Sequence, residues 1–219
     1  MRIRNGLFII LFILVAMLAM QINLSPVIGK EGQYFTAFQL FGPIAGAFLG
    51  LWGILTVFGA QLLDFLVLGK AFTLINVLRL LPMLFAVYFF WRKKSAVVMA
   101  IVPLAAMILF WAHPTGSQAW LYPLLWTIPV LALFFKNSLL WRSFGATFTA
   151  HAVGSVIWLY TVPMDAGQWV ALIPQVLLER SIFALGIAGS YLVANALLDR
   201  LTANWKVPIL QTEKRAQKS

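Results

Sequence analysis

The sequence predicts an all-α protein, a polytopic bundle of about six transmembrane helices, and three observations carry that expectation. Of 219 residues, 62% are hydrophobic and only 10% are charged, whereas soluble domains are about half apolar and about a quarter charged. The apolar residues fall in stretches near the ~20 residues that a helix needs to cross a ~30 Å hydrocarbon core. The positive charge sits in short segments flanking those stretches, where it sets topology and touches anionic headgroups. The net charge of +10 is therefore assigned to a cell-membrane surface, and no nucleic-acid partner is expected.

Each element follows from the same logic. Met1-Arg2-Ile3-Arg4-Asn5-Gly6 precedes an apolar run from Leu7 to Met20. Ala16 and Ala19 lack the Ala-x-Ala spacing of a cleavage site, so the run reads as a retained first helix rather than a signal peptide. Further stretches cover Thr36–Gly69, Phe72–Trp91, Ala96–Ala112, Ala119–Phe135, Leu139–Val162 and Trp169–Leu198. Turn chemistry separates them: Ser25-Pro26 with Gly29, Gly69-Lys70, Arg92-Lys93-Lys94, His113-Pro114-Thr115-Gly116 and Pro163-Met164-Asp165-Ala166-Gly167. Residues 1–205 form the membrane domain, and the basic segment 206–219 reads as a disordered cytoplasmic tail.

Charge orients the chain. Arg2, Arg4, the Arg92-Lys93-Lys94 cluster, Lys136 with Arg142, and the tail all belong inside, which places both termini in the cytoplasm. The segments around Glu31, Gly116 and Asp165 then face outward. Both termini inside require an even number of crossings, yet one span per stretch gives seven, so six to eight spans stay open. The stretch 36–69 is the first candidate for the conflict, and a fused pair elsewhere would also restore an even number. Gly42, Gly46, Gly50, Gly53 and Gly59 interrupt it, and it forms two short helices, a helix with a re-entrant piece, or one tilted helix.

Candidate functional residues are the polar groups far from the membrane interfaces, each costing several kcal/mol unless paired or hydrated. Asn76 and Arg79 share a helix face three residues apart, His151 is central in its segment, and Gln175 and Glu179 lie in the last one. These five are the expected lining of a small-molecule pocket. Asp64 and Arg79 are expected to meet across a short connection. Glu179 and Arg180 point in different directions as sequence neighbours, so at least one needs a partner on another helix. Gly42, Gly46 and Gly50 repeat every four residues and predict a close helix-packing face or a partner interface. Trp91, Trp111, Trp120, Trp141 and Trp169 mark segment ends, as an interfacial belt does; Trp126 and Trp158 lie deeper. His113 is read as a surface residue in an outer turn. The polar segment Lys30–Phe35 has the character of a gate over an outward pocket, or of an ordinary loop.

The run Leu40-Phe41-Gly42-Pro43-Ile44-Ala45-Gly46-Ala47-Phe48-Leu49-Gly50 resembles the Gly-Pro-x-x-Gly-x-x-x-Gly stretch in the substrate-binding S components of energy-coupling factor (ECF) transporters. The similarity continues through Leu78-Arg79-Leu80-Leu81-Pro82 to the basic turn after Trp91. It implies a compact bundle of about six helices that binds a vitamin-like molecule from outside. It also implies docking on a transmembrane coupling subunit driven by two cytoplasmic ATPases. The chain departs from the family in its first helix, where Ala16 and Ala19 stand in place of an Ala-x-x-x-Ala pattern.

Other classes are weighed on their residues. No cysteine is present, with two histidines and six acids, so thiolate chemistry is excluded and no metal or cofactor is expected. A phosphate-binding Gly-x-x-x-x-Gly-Lys-Ser/Thr loop is absent, so ATP hydrolysis falls to partners. An intramembrane metalloprotease would need three ligands and an open position, and only His151 is a buried candidate. A non-catalytic assembly protein using the glycine face is the main alternative to a substrate-binding subunit.

Overall fold

Helices form where the apolar stretches lie, and prolines and glycines within those stretches decide where each one ends. A computed structural model describes residues 3–28, 32–91, 96–135 and 137–202. The Arg92-Lys93-Lys94 cluster, Lys136, Gly29, the Lys30 and Glu31 part of the expected gate and the tail 206–219 lie outside the described residues.

Helix α1 (Ile3–Met20) leads into β1 (Asn23–Pro26) and β2 (Tyr34–Thr36). These two form an antiparallel ribbon with Ser25 opposite Phe35 and Pro26 opposite Tyr34. The ribbon is the one departure from helix among the described regular elements. Two 3-10 turns, Ala37–Leu40 and Gly42–Ile44, run into α2 (Ala45–Leu49). Gly50 then reverses the chain at φ 61°, a backbone region open to glycine at little steric cost, and α3 (Leu51–Val67) returns. The stretch 36–69 is therefore two helical arms joined at one glycine.

Proline divides the next expected helix. Pro82 opens α5 (Leu81–Phe90) and lacks the N–H needed to extend α4 (Leu74–Leu78). Helix α6 (Ala96–Ala112) keeps its expected bounds and is followed by α7 (Pro114–Gln118). The stretch 119–135 is not the single helix expected: Pro123 starts a 3-10 segment, Tyr122–Trp126, before α8 (Thr127–Ala132). Helix α9 (Leu139–Thr161) follows, then α10 (Ala166–Ala171), whose Asp165 and Gln168 form a capping box. Helix α11 (Ile173–Thr202) closes the described chain with 30 residues.

Side-chain pairs give the directions. Gly145 meets Phe89 and Gly154 meets Pro82, so α9 runs antiparallel to α5. Phe183 contacts Phe35, Gly186 contacts Leu40 and Tyr191 stacks on Phe48, so α11 runs parallel to the 37–49 arm. Arg142 Cζ lies 5.5 Å from the Tyr191 ring centroid, near the far end of the same bundle. Among the described residues the chain makes eight runs along the bundle: α1, 37–49, α3, α4–α5, α6, 122–132, α9 and α10–α11. One end of the bundle carries the ribbon, and the other carries Gly50 and Trp91.

The three glycines do not share one regular helix as expected, because Gly42 opens a 3-10 turn and Gly50 ends α2. They still face one neighbour. A Cβ at Gly42 would lie 2.8 Å from Met83 Sδ, one at Gly46 would run into the Val87 carbonyl, and one at Gly50 would lie 3.2 Å from the Trp91 ring. Their missing side chains let α5 approach the 37–49 arm at backbone distance.

The outward faces are strongly apolar. Leu18, Phe72, Val97 and Phe134 are 70%, 70%, 72% and 78% exposed. Among the described residues one helix, Ile173–Arg200, is long and apolar enough to cross a membrane by length and composition. Shorter apolar helices of 10–17 residues include Phe8–Met20, Leu51–Val67, Leu74–Phe90 and Ala96–Ala112.

Candidate functional site

Where α9 and α11 approach the ribbon, small and bent residues leave space that the large core side chains do not fill. Gly154 on α9 and Pro82 at the start of α5 form one wall, and the ribbon residues Val27 and Phe35 form another. The cavity between them has a volume of about 180 Å³. That is the size class of an apolar cavity that holds a single benzene-like ring, ~150 Å³.

Its polar lining comes from three places. On α9, His151 and Ser155 are one turn apart, and Tyr122 reaches them from the 3-10 segment. Tyr122 Oη lies 3.1 Å from His151 Nε2 and 3.4 Å from Ser155 Oγ, and Ser155 Oγ lies 3.4 Å from His151 Nε2. On α11, Gln175 Nε2 donates to Glu179 Oε1 at 3.1 Å. Glu179 Oε2 in turn lies 3.6 Å from Arg180 Nη2. Arg79 enters from the end of α4.

Arg180 is the most deeply placed charge, with its side chain 2% exposed. Its guanidinium faces two rings, with Cζ 4.3 Å from the Phe35 centroid and 4.6 Å from that of Phe183. Ring faces stabilise a desolvated cation but accept no ordinary hydrogen bond. Arg180 Nε and Nη2 have no hydrogen-bond partner among the described residues, and neither has the buried Trp169 Nε1. Both side chains line the cavity.

The ribbon is fastened over this space. Trp158 Nε1 donates to the Ile28 carbonyl at 3.0 Å, linking α9 to the chain two residues past β1, and Phe35 from β2 packs edge-on against Phe183 of α11. Part of the segment expected to act as a gate thus lies against the cavity, at Tyr34 and Phe35.

Of the five residues expected to line a pocket, Arg79, His151, Gln175 and Glu179 come together here. Asn76 does not. Its backbone N–H donates to Thr73 Oγ1 at 3.4 Å and its side chain donates to the Ala71 carbonyl at 2.9 Å, capping the turn before α4. Asn76 lines instead a neighbouring polar cavity of about 590 Å³, and Arg79, Gln39 and Tyr34 border both spaces.

Two expected pairings are corrected. Asp64 pairs with Lys70 at 2.7 Å rather than with Arg79, because the turn after α3 folds Lys70 back over it. Asp64 Oδ1 also accepts from Gln21 Nε2 at 2.6 Å. Glu179 and Arg180 approach each other, although they are adjacent in sequence. Both side chains are long enough to turn toward each other, and burial of the Arg180 charge favours the nearest carboxylate. Trp169 is no belt residue: it is 2% exposed and edge-on to Phe110 and Tyr122. His113 is half-buried, and its Nδ1 accepts from the Thr115 N–H at 3.2 Å to cap α7.

Tyr122, Ser155 and Trp169 line the pocket without having been expected there, and Arg180, singled out as a buried charge, was left outside the expected five. Ser155 carried a signal, four residues from His151 on one helix face. Among the described residues no group of three His, Asp or Glu side chains could hold a metal ion. Neither a family model, nor a curated protein, nor a solved structure matches this chain.

Proposed function

We propose that this chain is the membrane-embedded substrate-binding subunit of an ECF-type uptake transporter, capturing a small vitamin-like molecule from outside. The observation that carries the reading is the cavity of about 180 Å³ under the ribbon, where a helical bundle with an apolar exterior brings two Arg, a Glu, a His and a Tyr into one space. Small-molecule sites have this form, apolar walls with few convergent polar groups.

The membrane placement rests on several supports. Large exposed apolar faces are rare on soluble monomers, and here they run around the bundle on α1, α3, α6 and α11. Eight alternating runs are an even number, which agrees with both basic termini lying in the cytoplasm. The ribbon end then faces outward, and the cavity with it. The chain carries no ATP-binding loop, so energy would come from a coupling subunit and its two cytoplasmic ATPases. The alternative of an assembly protein built on Gly42, Gly46 and Gly50 loses its main support, because α5 covers that face.

The test is a thermal-shift screen of the full chain in detergent against vitamins, nucleobases, amino acids and metal ions. A ligand that binds only the folded state stabilises it by about 2.7 kcal/mol at a hundredfold excess over Kd. The expected hit disappears in Gly154→Leu, whose side chain fills the cavity. It survives in Gly154→Ala, whose Cβ would meet only Pro82, 3.6 Å away. Silence across the panel from folded protein, or a hit indifferent to Gly154→Leu, would remove the reading.

A further inference from the structure

A buried arginine with idle donors is the least expected feature of this molecule. An arginine has five N–H donors and no acceptor, and a buried charge is tolerated only when paired and hydrogen-bonded. Arg180 meets half of that requirement. Glu179 offsets its charge from 3.6 Å, and Phe35 and Phe183 cover its faces. Its Nε and Nη2 have no acceptor among the described residues. The indole N–H of Trp169, a donor only, is buried in the same lining and also lacks an acceptor.

Glu179 does not complete the set, since its Oε2 stays 3.6 Å from Nη2, beyond hydrogen-bond distance, and its Oε1 is turned to Gln175. Arg79, Arg180 and Glu179 all line the cavity, so the side chains with fixed charge leave one positive charge in excess. Donors without acceptors and one surplus positive charge describe the complement of a monoanion. The remaining wall includes Trp158, Trp169, Val176 and Leu172, which suits a flat apolar body of about one ring.

We infer that the cavity binds a small organic monocarboxylate, its carboxylate accepting from Arg180 and from the Trp169 indole, its apolar body between Trp158 and the ribbon. The guanidinium fork matches a carboxylate with two parallel N–H···O bonds. This inference names the substrate class of the capture site proposed above and rests on that reading for its biological role.

The experiment titrates the full chain in a neutral detergent with phenylacetate, phenylacetamide and phenethylamine, which differ in the charge of the head group, reading tryptophan fluorescence. Phenylacetate is expected to saturate the site at least tenfold more tightly than the other two. Arg180→Gln should weaken it at least tenfold, Arg180→Lys less, and Trp169→Phe about threefold with the ring retained. Because Arg180→Gln could misfold, Trp169→Phe and Arg180→Lys carry the test independently. Equal affinity for phenylacetamide, no binding by folded protein, or affinities untouched in all three variants would overturn the inference.

A carboxylate could come from a free small acid or from a fatty acid in the membrane. Tighter binding of phenylacetate than of dodecanoate supports the free acid, and the reverse order keeps the anion chemistry but assigns it to lipid. The two readings also fail separately. A neutral compound bound in the cavity and lost in Gly154→Leu would leave capture standing and overturn the anion. Phenylacetate bound in detergent but never reached from outside in right-side-out vesicles would keep the anion site and remove capture.

Discussion

At the scale of single residues, this chain uses absent side chains as deliberately as present ones. Gly46 has the Val87 carbonyl where a Cβ would stand, whereas Gly59 has nothing within 4 Å. Overpacking of a closed interface costs about 1–3 kcal/mol, so Gly46→Ala should unfold well before wild type in an SDS titration. Gly59→Ala should be neutral or stabilising, since alanine favours the helix. The Asp64–Lys70 pair offers a second contrast. Asp64 is 5% exposed at its side chain and Lys70 is 46% exposed. Removing the lysine leaves a buried carboxylate with only Gln21, while removing the carboxylate leaves a lysine that water can solvate. Lys70→Met is therefore expected to lower thermal stability more than Asp64→Asn, and the opposite order would show that Asp64 is solvated.

At the scale of elements, the ribbon is the part most directly tied to the site. It holds Phe35 over Arg180 and is tethered by the Trp158–Ile28 hydrogen bond. Such a bond is worth about 0.5–1.5 kcal/mol net. Trp158→Phe keeps the ring and deletes the donor, so ligand dissociation should quicken by roughly tenfold or less, with little change in melting temperature. An unchanged dissociation rate would mean that the ribbon does not govern exit. Much of this element level was legible from the sequence. Helix α6 occupies the bounds expected of it, because its apolar run is framed by a basic cluster and by His113-Pro114. The break within 36–69 was legible in kind but not in place, since five glycines could each have made the reversal and only the folded chain shows the positive φ at Gly50. The ribbon was not legible, because Asn23–Pro26 and Tyr34–Thr36 are too short to show strand alternation.

At the scale of the whole molecule, an apolar exterior surrounds a polar cavity at one end. The polar residues could be found from sequence because Arg79, His151, Gln175 and Glu179 interrupt apolar runs, where each is costly without a reason. For Glu179 and Arg180 the expectation was only that at least one needs a partner on another helix, and the idle donors of Arg180 were not legible, since the cavity it lines exists only after α9, α11 and the ribbon have met. Trp169 was hidden for a related reason: its position at a segment end resembles an interfacial anchor until α10 folds inward. The proposed function requires that the ribbon end of the bundle open outward. The absence of cysteine makes that requirement directly measurable with single-cysteine variants and a membrane-impermeant maleimide on intact cells. Asn23→Cys, exposed in the ribbon, should label at once, while Asn137→Cys, exposed in the turn before α9, should label only after permeabilisation. Labelling of both in intact cells, or of Asn137→Cys alone, would contradict an outward-facing capture site.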